Sequence, residues 1–385
     1  MSASRGRRRG RVARRSVLVV AASVVVAVGT VTGMINALDD ERGANEARPD
    51  ATRLVPLADV PSTAVSPKVS YPASTSAKPK KTASPSPTKT GEKRSDPVSP
   101  SLYRHPESQV LDWVHDHPDD PRTEVIASRI ADQPAAVWFA DFTPSTITSR
   151  VRAVTSGAAA QGRVPVVVPY AIPDRDCGGA SEGGAPDFDA YDAWIDDFAA
   201  GLGSREVVIV LEPDSIAQAD CLSAAQRADR FEALARAGRV LKTADPKARV
   251  YFDAGHSDWN PAAQQAALLK EAGAANAASS DGIFSNVSNF HATSAEIAYD
   301  RQVLDALGGP ASLGAVIDTS RNGNGAPADG QWCDPAGRKI GRAPTLDTGE
   351  ARIDGYLWVK LPGESDGCRG TAGTFTASYA YDLAR

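Results

Sequence analysis

The chain has 385 residues and a formal net charge of −5 at pH 7, from 42 Lys+Arg and 47 Asp+Glu. The balance is uneven: residues 1–100 sum to +9 and the remainder to −14. A body this acidic offers no basic face for phosphate, which argues against a nucleic-acid partner and suits a neutral substrate.

The first element is an Arg-dense stretch over residues 2–15, followed by a Val/Ala-rich apolar run over 16–38. Positive charge ahead of an apolar run is the pattern of an export signal, and this run is long enough to span a bilayer. The pair Arg14-Arg15 loosely resembles a twin-arginine signal. Whether the segment is cleaved or kept as an anchor stays open, and it is the only membrane contact expected. The segment assigned here covers residues 1–46. Residues 47–101 are rich in Pro, Ser, Thr and Lys and poor in large apolar side chains, so they read as a disordered linker in extended polyproline form. It is read either as a tether holding a domain off the cell surface or as a plain spacer.

The folded domain is expected over residues 102–385. Seven strand candidates follow in order, at 136–140, 164–170, 207–211, 249–254, 282–287, 315–318 and 356–361. Helical stretches separate them, for example 145–161, 191–201, 223–243 and 293–307. Strands alternating with helices imply an α/β fold with a parallel sheet. About 280 residues suit one closed or nearly closed barrel, and no internal repeat is visible.

The four cysteines (Cys177, Cys221, Cys333 and Cys368) form no CxxC pair, and the five His include no HExxH. Zinc is not expected, nor is any other metal or cofactor. Behind an export signal, four cysteines read as two disulfides with three possible pairings. No GxxxxGK[ST] phosphate loop and no GxSxG nucleophile elbow occurs.

The chemistry gathers at the carboxyl ends of strands. The run Val207–Leu211 reads as a strand buried on both faces, and it stops at Glu212-Pro213-Asp214 because Pro213 cannot donate to a ladder. Arg175-Asp176-Cys177 follows the second strand, Asp253-Ala254-Gly255-His256 ends the fourth, and Glu364-Ser365-Asp366 follows the last. Each aspartate has a plainer reading. Asp214 could cap a helix, Asp253 and Asp366 could be turn residues, and Asp176 could pair with Arg175. Four of them at four strand ends are hard to explain by capping alone. In a barrel they converge on one mouth. Carboxylates without metal-ligand histidines suggest glycosidic bond cleavage, which needs a proton for the leaving oxygen and help for a water. Crowding and burial raise one carboxyl so that it serves as the acid, here expected to be Asp214. Trp138, Trp259 and Trp332 lie at loops or strand ends, where they either stack on sugar rings or pack in the core.

At these residues the chain resembles glycoside hydrolase family 6, the endoglucanases and cellobiohydrolases acting on β-1,4-glucan. The resemblance runs from about Leu102 to the C-terminus. It rests on Trp138-Phe139-Ala140, Arg175-Asp176-Cys177, Glu212-Pro213-Asp214, Phe252-Asp253-Ala254-Gly255-His256, Asp318-Thr319-Ser320-Arg321-Asn322-Gly323, Trp332-Cys333-Asp334 and Lys360-Leu361-Pro362-Gly363-Glu364. It implies a distorted (β/α) barrel of about seven parallel strands and an inverting mechanism. Asp214 matches the general acid, Asp176 the aspartate that tunes it, Asp366 the candidate base, and Asp253 an aspartate supporting the acid's protonation. Tyr170 matches the tyrosine beneath a distorted sugar. Ser288 and Asn289 are implied near the water and substrate. Trp138, His256, Trp259, Trp332, Lys360 and Glu364 match sugar-contacting positions. The disulfides implied are Cys177–Cys221 and Cys333–Cys368. No cellulose-binding module is visible. The short stretch 362–374 favours an open cleft and internal cleavage by an extracellular, monomeric enzyme; exo action and a non-catalytic glycan-binding protein are the alternatives.

Overall fold

The computed structural model describes residues 101–179 and 181–385. The expected signal or anchor segment, and the linker through residue 100, lie outside the described residues. Among the described residues no helix is long and apolar enough to cross a membrane.

Seven parallel strands run in simple order: β1 (Val137–Phe139), β2 (Val166–Pro169), β3 (Val207–Leu211), β4 (Ala248–Asp253), β5 (Gly282–Ser285), β6 (Gly314–Asp318) and β7 (Ile353–Leu357). Sequential order in a parallel sheet requires a crossover after each strand. Helices α3 (Ile147–Ala160), α4 (Phe188–Ala199), α5 (Ala224–Ala244), α6 (Ala262–Glu271) and α7 (Thr293–Leu307) make the crossovers from β1 to β6, and a long loop joins β6 to β7. Local chemistry sets several helix starts. Asp187 accepts the Ala190 N–H at 2.7 Å, and Ser223 and Gln226 form a reciprocal capping box at the head of α5.

Alternate residues of each strand sort into two cores, as the two-residue period demands. Val166, Val168, Val208, Val210, Tyr251, Phe284, Val316 and Leu357 form one cluster. Val167, Ile209, Leu211, Phe252, Ile283 and Ile317 pack in the other, together with helix side chains such as Trp194, Phe198, Leu234 and Leu304. Gly282 lies at φ +146°, and a Cβ there would sit 1.8 Å from the carbonyl oxygen of Gly314. No other residue allows β5 to approach β6 this closely.

The sheet curls toward a ring without closing into one. The Ala136 N–H donates to the Trp358 carbonyl at 2.9 Å, and the Trp138 indole donates to the Val359 carbonyl at 2.8 Å, but no ladder joins β1 to β7. Helices α1 (Gln109–Asp116), α2 (Thr123–Ile126) and α8 (Ala377–Ala384) contribute to a third cluster, of Val110, Ile126, Trp358 and Ala380 among others.

The last strand begins and ends earlier than its apolar run at 356–361 suggests. Asp354 and Gly355 hide its start, being poor strand formers. From Trp358 the chain leaves the sheet, because the backbone N–H groups of Val359 and Lys360 turn to the carboxylate of Asp318 at 3.3 and 3.1 Å.

Candidate active site

Positive φ at non-glycine residues is concentrated in the loops that leave the carboxyl ends of the strands. Asp174, Asp176 and Cys177 follow β2, Glu212 and Asp214 follow β3, Asn286 and Ser288 follow β5, and Asp334 follows β6. Such conformations cost on the order of 1–3 kcal/mol each and persist where surrounding bonds impose them. Here those bonds are visible, and several of them end on carboxylates.

Glu212 is fully buried, and its carboxylate accepts the N–H groups of Ala171 and Ile172 at 2.9 and 3.0 Å. Burial raises its pKa to about 7, although those amide donors pull it down. Buried Arg230 of α5 donates to the carbonyls of Pro173 and Asp174, both at 2.9 Å. The loop carrying Asp176 is therefore held from two sides. The Asp176 carboxylate accepts from the N–H and hydroxyl of Ser181 at 2.7 and 3.1 Å. Arg175 turns away and donates to the carbonyls of Ala140, Tyr170 and Ser181, with its guanidinium 4.5 Å over the Tyr170 ring. Among the described residues Arg175 forms no salt bridge with Asp176, each side chain being spent on other partners, so the local ion-pair reading does not hold.

No helix starts at Asp214, so it is not a helix cap. Asp214 is half-buried, and its pKa is raised to about 8, first by burial, then by the charges of Asp253 and Asp176; the Tyr170 hydroxyl opposes the rise. Asp253 is buried and accepts the N–H groups of Ile216 and Ala217 at 3.1 and 2.8 Å, and that of Gly255 at 2.9 Å. It is thus more than a turn residue, because it ties the chain just beyond Asp214 to the end of β4. Burial also raises its pKa, against the pull of those three amides.

Asp318 does the same for three other loops, accepting the N–H groups of Ser288, Ser320, Val359 and Lys360. Asp366 lies across an ion cluster rather than in a self-contained turn. Its carboxylate is 2.7 Å from fully buried Arg321 and 3.4 Å from Lys360, which also reaches Glu364 at 3.3 Å. Arg321 also stacks 4.4 Å over Phe290 and donates to the Tyr379 hydroxyl and the Ser288 carbonyl. Burial raises the Glu364 pKa despite Lys360.

The aromatic positions divide. Trp138 meets Tyr170 edge-on at 5.3 Å. His256 stacks on His291 at 4.1 Å and lies 5.2 Å from Trp259. Burial and the neighbouring His291 lower the His256 pKa to about 4, so the ring is neutral near pH 7. Trp332 is 56% exposed, unlike any other large apolar side chain among the described residues. Asn289 is half-buried and donates its N–H to the Asn286 carbonyl at 2.9 Å. The cysteines pair as Cys177–Cys221 and Cys333–Cys368, one bridge beside Asp176 and the other two residues from Asp366.

The sequence reading assigned no role to Glu212, Asp318, Arg321 or Asp334. The available signal was the one that marked the other acids: Glu212 directly follows β3, and Asp318 is the last residue of β6.

Comparison with known proteins agrees with this arrangement of strands and loops. The chain is 52% identical over 287 residues to endoglucanase 1 of Streptomyces sp. (strain KSM-9), covering 74% of this chain and 78% of that one. It is 50% identical over 284 residues to endoglucanase A of Thermobispora bispora, covering 74% and 61% of the two. Among solved structures, the endoglucanase Cel6 from Mycobacterium tuberculosis, in complex with methyl-cellobiosyl-4-deoxy-4-thio-β-D-cellobioside, superposes with a TM-score of 0.69. It shares 40% identity and covers 74% of this chain and 97% of its own. A profile of glycosyl hydrolases family 6 matches residues 98–384, and the chain belongs to that family and is a glycosidase.

Proposed function

We propose that this protein hydrolyses internal β-1,4-glucosidic bonds of cellulose or a related β-glucan with inversion at the anomeric carbon. The observation that carries the reading is Asp214, whose carboxyl is raised to about 8 by burial and by the charges of Asp253 and Asp176. Such a group is still protonated near pH 7 and can protonate a leaving glycosidic oxygen.

In this reading Asp214 is the general acid. Asp253 holds the Asp214 loop and adds a like charge, and Asp176 adds a second. Asp366 is the candidate base for a water attacking from the opposite face; inversion needs roughly 6.5–9.5 Å between acid and base. Both Asp366 oxygens are engaged by cations, so the water approaches a clamped carboxylate rather than a free one. Tyr170 underlies the distorted sugar, with Ser288 and Asn289 near the water. Trp138, Trp259, Trp332 and the neutral His256 offer ring faces to sugars, and Lys360 and Glu364 offer polar contacts.

Internal cleavage is favoured over end-on processing by the short segment 362–374 and by the exposure of Trp332, which leaves a platform open to solvent. The endoglucanase names of the relatives point the same way. Two disulfides fit an extracellular, oxidising site of action, and a domain over 102–385 behind an export segment and linker fits the same picture. A monomer acting without metal or cofactor is the simplest form of the proposal.

Cellohexaose digestion with anomer analysis tests it. Internal products with α-configured new ends are expected, and Asp214→Ala should remove hydrolysis while leaving oligosaccharide binding. Cellobiose as the sole early product would indicate exo action. Retained full activity in Asp214→Ala would take the acid role from this residue.

A further inference from the structure

Asp334 and Asp366 lie on different loops, after β6 and β7, and hold each other's backbone. The Asp334 N–H donates to the Asp366 carboxylate at 3.2 Å, and the Asp366 N–H donates to the Asp334 carboxylate at 2.8 Å. The exchange is lopsided beyond that pair. The second Asp334 oxygen accepts the Ser365 hydroxyl at 2.6 Å and the N–H groups of Cys368 and Arg369 at 3.0 and 2.9 Å. The turn that carries Asp366 is therefore wrapped around one carboxylate, which is fully shielded from solvent.

Arg321 lies 2.7 Å from Asp366 and 4.0 Å from Asp334, so one buried cation serves both acids. Asp334 is itself in the left-handed region at φ +44°, immediately after Cys333, whose disulfide partner Cys368 is one of the donors. A generic turn needs none of this. Four donors arranged around two oxygens specify a carboxylate, because an amide in either orientation turns an NH2 toward at least one N–H.

We infer that Asp334 is a positioning residue for Asp366: its carboxylate templates the 365–369 turn and fixes where the Asp366 carboxylate stands relative to the attacked sugar. This rests on the proposed role of Asp366 and adds to it a residue that touches neither substrate nor water. Removing the template leaves substrate contacts in place and misplaces one reacting group, so the loss belongs in kcat rather than KM. A misplacement of about 1 Å can cost on the order of 100-fold in rate.

The test uses the full chain with cellohexaose and a double-mutant cycle. Asp334→Asn should lower kcat on the order of 10- to 100-fold with KM within about twofold. In an Asp366→Ala background the same change should have little further effect, because two groups acting through one function are not additive. Ser365→Ala, which deletes the charge-assisted bond to Asp334 together with the hydroxyl's bonds to Gly367 and Gly370 but keeps the Asp334 carboxylate, should lower kcat roughly tenfold at constant KM. That variant carries the test if Asp334→Asn does not fold. Wild-type kcat in Asp334→Asn or Ser365→Ala overturns the inference. So does an undiminished effect of Asp334→Asn in the Asp366→Ala background, which would mark a general packing role. Full activity of Asp366→Ala alone would instead overturn the base assignment on which the inference rests.

Discussion

The raised carboxyl of Asp214 makes the alkaline side of the pH profile diagnostic. With a pKa of about 8, an acid is roughly nine-tenths protonated at pH 7, whereas an ordinary aspartate near 3.9 would be protonated less than about one part in a thousand. For the free enzyme, kcat/KM on cellohexaose should therefore reach half its plateau near pH 8 and fall about tenfold per unit above it. The perturbation is Asp176→Asn, which removes a negative neighbour while keeping an oxygen for Ser181. Losing a like charge favours the carboxylate form of Asp214, so the proton leaves at lower pH and the limb moves to the acid side. Burial is the largest cause of the rise and Asp253 the next, so deleting Asp176 should move the midpoint by on the order of one unit and leave it well above 4. The assay is product release from cellohexaose between pH 4 and 10, with a solvent-exposed probe of folding to exclude unfolding at the alkaline end. A wild-type limb near pH 4–5 would refute the burial argument. A limb in Asp176→Asn that stays in place or moves upward would refute the electrostatic part.

Two other outcomes follow, one from a disulfide and one from a buried acid pair. Cys333 and Cys368 are 35 residues apart, and loop-closure entropy puts their crosslink at up to about 4 kcal/mol; replacing both by Ser should lower the denaturation midpoint and slow hydrolysis, and an unchanged midpoint and rate would remove the disulfide from the support of the Asp366 loop. Glu296 and Asp300 sit one turn apart on α7, both fully buried, with Ser257 N–H on the first and the Ser285 hydroxyl on the second. Burial raises both pKa values, and for Asp300 the charge of Glu296 adds to it. The folded state thus keeps protons that the unfolded chain gives up near pH 4, and stability present below that pH is lost as pH rises through the raised values. Asp300→Asn should flatten the decline in melting temperature with rising pH, and an unchanged slope would show that the pair carries no excess proton.

Much of the molecule was legible because the relevant forces are local. Runs such as Val207–Leu211, buried on both faces, announce strands of a covered parallel sheet, and the proline two residues later announces where that strand stops. Alternation with helices implied the curled sheet, and an Asp at several strand ends marked the edge proposed here as the site. What stayed hidden depends on residues far apart in the chain. The early start of β7 is set by ladder bonds to β6 through poor strand formers. Arg321 meets Asp366 across 45 residues, and Asp253 reaches the Ile216 N–H across 37.

The sequence by itself determined the order of strands and helices, the number of thiols available for bridging and the supply of acids beyond the strands, since period, propensity and composition act over a few residues. Only the tertiary structure decided which acids are desolvated enough for their pKa values to rise, which is clamped by cations and which tie loops together. Desolvation and Coulomb interaction depend on the surroundings of a group in space, and those surroundings are assembled from seven strand ends that no local pattern brings together.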